Sequence, residues 1–165
     1  MTPVVLLEEL EKFLNEKTKD LLLPVKPKGN SVSEERPPKI YKMKPPVKTG
    51  NEEQVPYLVL QLLTVKDMQK EGENPQCLCK IRIIAATYGE DEGTADMNTL
   101  NLLTRVRISL LEKPNISGRL KMLPNTETLI YSDVTPPYSL GEMMTEWSIP
   151  AVSQRVEWDE WDKMG

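Results

Sequence analysis

Cys77–Leu111, CLCKIRIIAATYGEDEGTADMNTLNLLTRVRISLL, carries two periodicities in succession across a short acidic turn. From Cys77 to Tyr88 the residues alternate as in a strand, with Cys77, Cys79, Ile81, Ile83 and Ala85 on one face. The other face, Leu78, Lys80, Arg82, Ile84 and Ala86, is apolar with basic interruptions. GEDEG, Gly89 to Gly93, cannot continue a strand and predicts a turn. From Thr94 to Leu111 the apolar residues recur at helical spacing: Met97, Leu100, Leu103 beside Leu102, Val106 and Leu110. Thr94 or Asp96 is the expected N-cap, and Pro114 lies just past the end. Arg105 and Arg107 fall in the second half, where cations suit the helix dipole. The stretch predicts a strand docked on a helix.

The remaining elements are placed around this pair. Thr2 to Leu23 predicts a helix capped by Thr2, with Pro3 at its first position. Its stripe is Leu6, Leu10, Phe13, Leu14 and Leu21, and Lys12, Glu16 and Lys19 take the wet side. Half of the 14 prolines then fall between Pro24 and Pro56. Seven basic residues against Glu34 and Glu35 give Pro24–Lys48 a charge of +5 within a chain of −4. Proline interrupts helices and central strands, so this segment predicts an extended arm, with Ile40 to Met43 as a short edge strand. Tyr57 to Val65, YLVLQLLTV, predicts a strand buried on both faces. It pairs with Cys77–Tyr88 as a hairpin across the polar turn Asp67–Gln76. Arg119 to Leu123 and Glu127 to Tyr131 predict two more strands. Leu140 to Ile149 predicts a last one, with Met143, Thr145, Trp147 and Ile149 toward the core and Glu142, Met144 and Glu146 away from it.

At 165 residues the chain fits one domain with an appendage. The boundaries are a domain over 1–153, an arm at 24–56 and an acidic tail at 154–165 holding Trp158 and Trp161. The net charge of −4 gives no general nucleic-acid signature. No apolar run is long enough for a membrane-spanning helix, and no secretory leader is expected. Cys77 and Cys79 are then expected to be reduced thiols of a cytoplasmic protein.

Chemistry is sparse. The chain has no His, which removes the commonest general base and metal ligand. It has no P-loop, no GxGxxG and no nucleophile elbow. Cys77-x-Cys79 lacks a second ligand pair, so two small core positions explain it better than zinc does. Glu90, Asp91 and Glu92 cluster in a Gly-flanked turn, where carboxylates are ordinarily just solvated. Neither catalysis nor a cofactor is expected.

Three segments carry a resemblance to the tail-terminator proteins of tailed bacteriophages, whose relatives complete phage-tail-like bacteriocins. VPYLVLQLL, Val55 to Leu63, resembles the family's strand after the arm. IRIIAATYGEDEGTADMNTLNLLTRVRISLL, Ile81 to Leu111, resembles its strand, acidic Gly turn and second helix. PPYSLGEMMTEWSIP, Pro136 to Pro150, resembles its last strand. The arm and the Trp tail have no counterpart in that pattern.

The resemblance implies an α/β (α+β) fold: a mostly antiparallel sheet of about five or six strands with two helices packed on it. It implies a homo-hexameric ring that caps the tail-tube protein and joins it to the head or neck, in contact with sheath or head-completion proteins. DNA would meet such a ring only in passage, and no membrane is involved. Assembly would take place in the bacterial host cytoplasm. Lys39, Lys42, Lys44, Tyr138, Trp158 and Trp161 are the side chains expected at subunit or partner interfaces, with Lys42 and Lys44 meeting acidic groups of a neighbour or of the tube. Two alternatives stay open: another head–tail adaptor touching DNA through the basic arm, and an unrelated small enzyme or nucleic-acid-binding domain.

Overall fold

The alternation that starts at Cys77 builds the centre of the molecule. The computed structural model describes residues 2–29, 34–47, 54–91 and 93–152. In chain order they form helix α1 (Pro3–Thr18), strands β1 (Leu23–Val25), β2 (Glu34–Arg36), β3 (Lys39–Lys42), β4 (Tyr57–Met68) and β5 (Gln76–Tyr88), and helix α2 (Thr94–Glu112). Strands β6 (Asn115–Ile116), β7 (Leu120–Met122), β8 (Glu127–Ile130) and β9 (Tyr138–Ile149) follow. This is an α+β fold, with a seven-stranded sheet ordered β3-β4-β5-β9-β7-β6. β8 shares the outer edge of β9 with β7, opposite Gly141–Met144, while β7 lies opposite Trp147 and Ser148. Every pairing is antiparallel except β3–β4.

Both helices cover the same face of the sheet, α2 over β5 and β9, α1 over β3 and β4. Beneath them Leu58, Leu60, Ile81, Ile83, Met143 and Trp147 are buried against Leu6, Leu10, Leu14, Leu102, Leu103 and Leu110. Trp147 meets its polar need inside this core. Its Nε1 donates to Thr145 Oγ1 at 2.9 Å, and that hydroxyl donates to the Ile81 carbonyl at 2.8 Å.

The structure corrects several expectations. α1 ends at Thr18, not Leu23, and Leu23 becomes a strand because Pro24 disfavours a helical residue before it. The arm is not one extended loop, since β1 and β2 pair as an antiparallel ribbon within it. α2 is capped by Gly93 at φ 80°, not by Thr94 or Asp96, with no side-chain cap. β4 is not buried on both faces throughout. Only Leu58, Val59 and Leu60 are buried, whereas Leu63 is 41% and Val65 46% exposed.

α2 turns Leu102, Leu103, Val106 and Leu110 inward as expected, but not Met97 and Leu100. Ala95, Thr99, Leu102, Leu103, Val106 and Leu110 are buried, while Met97 is 64% and Leu100 43% exposed. Close approach selects the small residues. A Cβ on Gly89 would strike the backbone at Ala95, and one on Gly141 would lie 2.8 Å from the Thr99 methyl and 2.9 Å from Leu103. α2 therefore sits too near the sheet for Met97 or Leu100 to face it.

Candidate assembly surface

The sheet's outermost strand on one side is short by construction. Pro37-Pro38 and Pro45-Pro46 bracket β3. Lys39 N donates to Pro56 O at 3.2 Å and Met43 N to Leu60 O at 2.8 Å, so alternate residues bond to β4. Ile40 and Lys42 then turn their backbone outward. Lys44 N folds back onto Lys42 O at 2.9 Å, and Met43 takes φ 72°, which ends the strand. β3 thus covers β4 only from Tyr57 to Leu60.

Beyond Leu60, β4 runs eight more residues, to Met68. Among the described residues no strand pairs with its outer edge there. A bulge between Leu62 and Thr64 shifts the register against β5, so side-chain parity reverses at this point. Leu58, Leu60 and Leu62 face the helices before it, and Val65, opposite Cys79, faces that side after it. Leu63 is the extra residue. Exposed apolar side chains on an unpaired strand edge make this the surface best suited to bind another chain. Sequence reading missed its exposure. The signal was present in LQLLTV, where apolar positions move from even numbers to Leu63 and Val65.

The predicted interface side chains do not form one patch. Lys39 and Lys44 are exposed at the two ends of β3. Lys42 Nζ instead lies 3.7 Å from Glu11 Oε2 of α1, an intramolecular partner for a charge that sequence reading had assigned to a neighbour. Tyr138 opens β9 and is half-buried. Its ring packs at 6.2 Å from that of Tyr88, with Lys26 Nζ 5.5 Å from its centroid, so internal packing occupies it. Trp158 and Trp161 lie outside the described residues.

The face of the sheet away from the helices carries a small apolar cluster of Val55, Ala86 and Tyr88 with Tyr57, Tyr138 and Leu140. Beside it is a polar cluster. Arg82 Nε donates to Gln61 Oε1 at 3.0 Å, and its Nη1 lies 3.5 Å from Glu142 Oε2. Burial pushes the Tyr131 phenol up, and its bond to the Glu142 carboxylate adds to the shift. Arg82, Gln61, Tyr131 and Glu142 are linked in one structural network, in which the buried Glu142 Oε2 makes, among the described residues, only the 3.5 Å ion pair and no hydrogen bond. Glu142 was expected to face out. It does lie on that face, but its side chain is only 14% exposed.

Cys77 and Cys79 are free, buried thiols on the helix side of β5. Burial pushes Cys79 up to about 12, and Cys77 is raised by burial and by its bond to Asp67. Thiols held protonated in this way are poor nucleophiles at neutral pH. Among the described residues no group of three Cys, Asp or Glu side chains comes together as a metal site. No described helix is long and apolar enough to cross a membrane. No protein-family model matches the sequence, and no curated protein matches it.

Proposed function

We propose that this chain is a structural subunit that builds a ring through its sheet edges and caps a bacteriophage tail tube as a tail terminator. The observation that carries the assembly part is the edge of β4 from Gln61 to Met68, which no described strand covers, with Leu63 and Val65 exposed on it. The opposite end of the sheet, at β6 and β8, offers a second edge. Edges on opposite ends of one molecule suit a heterologous, head-to-tail contact, and such contacts close into rings when the rotation per subunit allows. The tail-terminator part is supported by the resemblance of Val55–Leu63, Ile81–Leu111 and Pro136–Pro150 and by the α+β arrangement that it implied.

The experiment is light scattering and electron microscopy of the purified protein, alone and with a tail-tube protein encoded beside it. Six-fold rings that form on the end of the tube support the reading. A monomer that neither assembles nor binds tube ends at any concentration or ionic strength removes it.

A further inference from the structure

We propose that the outer face of α2 pairs antiparallel with the same face of a second copy, about a two-fold axis at Thr104. This contact is separate from the sheet edges, and it does not rest on the ring reading. On the side of α2 away from the core, Met97, Leu100, Thr104, Ile108 and Leu111 follow one another, and the four apolar ones are exposed. At 100° per residue these five positions fall within a narrow stripe, nearly opposite the buried stripe of Ala95, Thr99, Leu102, Val106 and Leu110. A lone surface helix needs one apolar stripe, and α2 has two.

The spacing of the outer stripe names its occupant. Its steps are three, four, four and three residues, which read the same in both directions around Thr104. Two antiparallel copies with Thr104 on the axis therefore set Leu100 against Ile108 and Met97 against Leu111, twice over. Such self-complementarity is what an isologous contact requires, whereas an unrelated partner imposes no symmetry on the spacing.

Charge favours the same orientation. The N-terminal end of α2 carries exposed Glu90, Asp91 and Asp96, and the C-terminal half carries exposed Arg107 and Lys113 with exposed Glu112 between them, so one end is strongly acidic and the other weakly basic. Antiparallel pairing brings the acidic end of one copy toward the basic end of the other and opposes the two helix dipoles. The stripe is about 21 Å long at 1.5 Å per residue, so the interface belongs to the small class.

The test combines sedimentation velocity across micromolar concentrations with cysteine cross-linking. Thr104→Cys lies on the axis, so mild oxidation is expected to give a disulfide-linked dimer from that single variant. The native thiols are buried and do not compete. Leu100→Cys alone is expected to cross-link poorly, and together with Ile108→Cys to cross-link well. Ile108→Glu and Thr104→Glu are expected to weaken self-association at least about tenfold with unchanged melting curves. If Thr104→Cys cross-links no faster than an exposed control such as Lys121→Cys, the two-fold pairing is wrong. Self-association indifferent to Ile108→Glu and Thr104→Glu would remove it equally. A six-membered ring that is lost in Val65→Lys but kept in Ile108→Glu and Thr104→Glu supports the ring reading alone, and the Thr104→Cys cross-link then decides this pairing by itself.

Discussion

β4 and β9 are both 12 residues long, both pair with β5, and they are buried very differently. β9 alternates between buried and half-buried from Tyr138 to Ile149 without a break. It has β5 along one edge, and β8 and then β7 along the other. β4 has β5 along one edge and, among the described residues, only the four residues of β3 along the other, and its burial ends where β3 ends. Along these two strands burial tracks the presence of a second neighbouring strand more closely than hydrophobicity. Leu63 and Val65 are as apolar as Met143 and Ile149, yet they remain at the surface. The difference separates residues that hold the fold from residues that the fold leaves available.

That comparison breaks if β9 proves dispensable, so the largest effect is expected there. Trp147 is fully buried under the helices. Trp147→Ala is expected to cost about 3–5 kcal/mol, measured by urea denaturation. A loss well under about 1 kcal/mol would mean that the strand does not organise the core. Thr145→Val is next. It keeps the shape but removes the acceptor for Trp147 Nε1 and the donor to Ile81 O. A loss of about 1–3 kcal/mol is expected, because the indole N–H stays buried without a partner. A neutral result would show that the hydroxyl bridge contributes nothing.

How far the two strands could be read in advance differs for the same reason. The register of β9 was legible because alternation and two-sided burial agree: Met143, Thr145, Trp147 and Ile149 face the core as their spacing predicts. The hairpin partner of β5, the short lysine edge strand and the two-helix cover were legible too. The exposed half of β4 was not, because a run of apolar residues does not reveal whether a neighbouring strand covers it. α2 was legible at Leu102, Leu103, Val106 and Leu110 but not in its first half, at Met97 and Leu100. Its two stripes share one period, and the choice between them is made by the missing Cβ atoms of Gly89 and Gly141, which are far away in sequence or across a turn. β1 and β2 escaped notice because three-residue strands around proline leave too short a pattern to recognise. Of the expected interface residues, Lys42 stays exposed beside Glu11 and Tyr138 is half-buried against Tyr88 and Lys26, contacts between segments that no local spacing encodes.

β5 lies between the two strands, and its thiols give a smaller, pH-dependent test. In the folded protein Cys79 keeps its proton to about 12, against an ordinary value of 9.0, and Cys77 is shifted the same way. The unfolded chain releases these protons first, so above about pH 9 it binds fewer protons than the native state does. Stability should therefore be unaffected by these thiols at neutral pH and fall as pH rises through and beyond that value. Tyr57 and Tyr131, also raised, contribute with the same sign at higher pH. Urea melts on either side of pH 9 check this, and Cys79→Ala should flatten part of the slope. Stability that stays level or increases through the window would contradict the burial of both thiols.

The smallest expected effect on the subunit itself is at Val65. Its side chain is 46% exposed on the stretch of β4 that no described strand covers. Lysine fits an edge strand, and the long stem can lie along the neighbouring surface while the ammonium stays in water. Val65→Lys should change unfolding stability by no more than about 0.5 kcal/mol, as exposed substitutions do. Its effect on assembly should be of another order. A lysine from each subunit placed in an apolar edge contact must lose its hydration or keep the edges apart. Light scattering on Val65→Lys should find the monomer favoured, with a urea melt that superimposes on wild type. Ile149→Lys, at the paired end of β9, should instead lower stability by several kcal/mol, since it buries a charge that is almost fully enclosed. If Val65→Lys destabilises the subunit as much as Ile149→Lys, then this edge is covered within the subunit and the contrast between β4 and β9 disappears. If it leaves both stability and assembly unchanged, the edge is exposed but takes no part in assembly, and the contact between subunits must lie elsewhere.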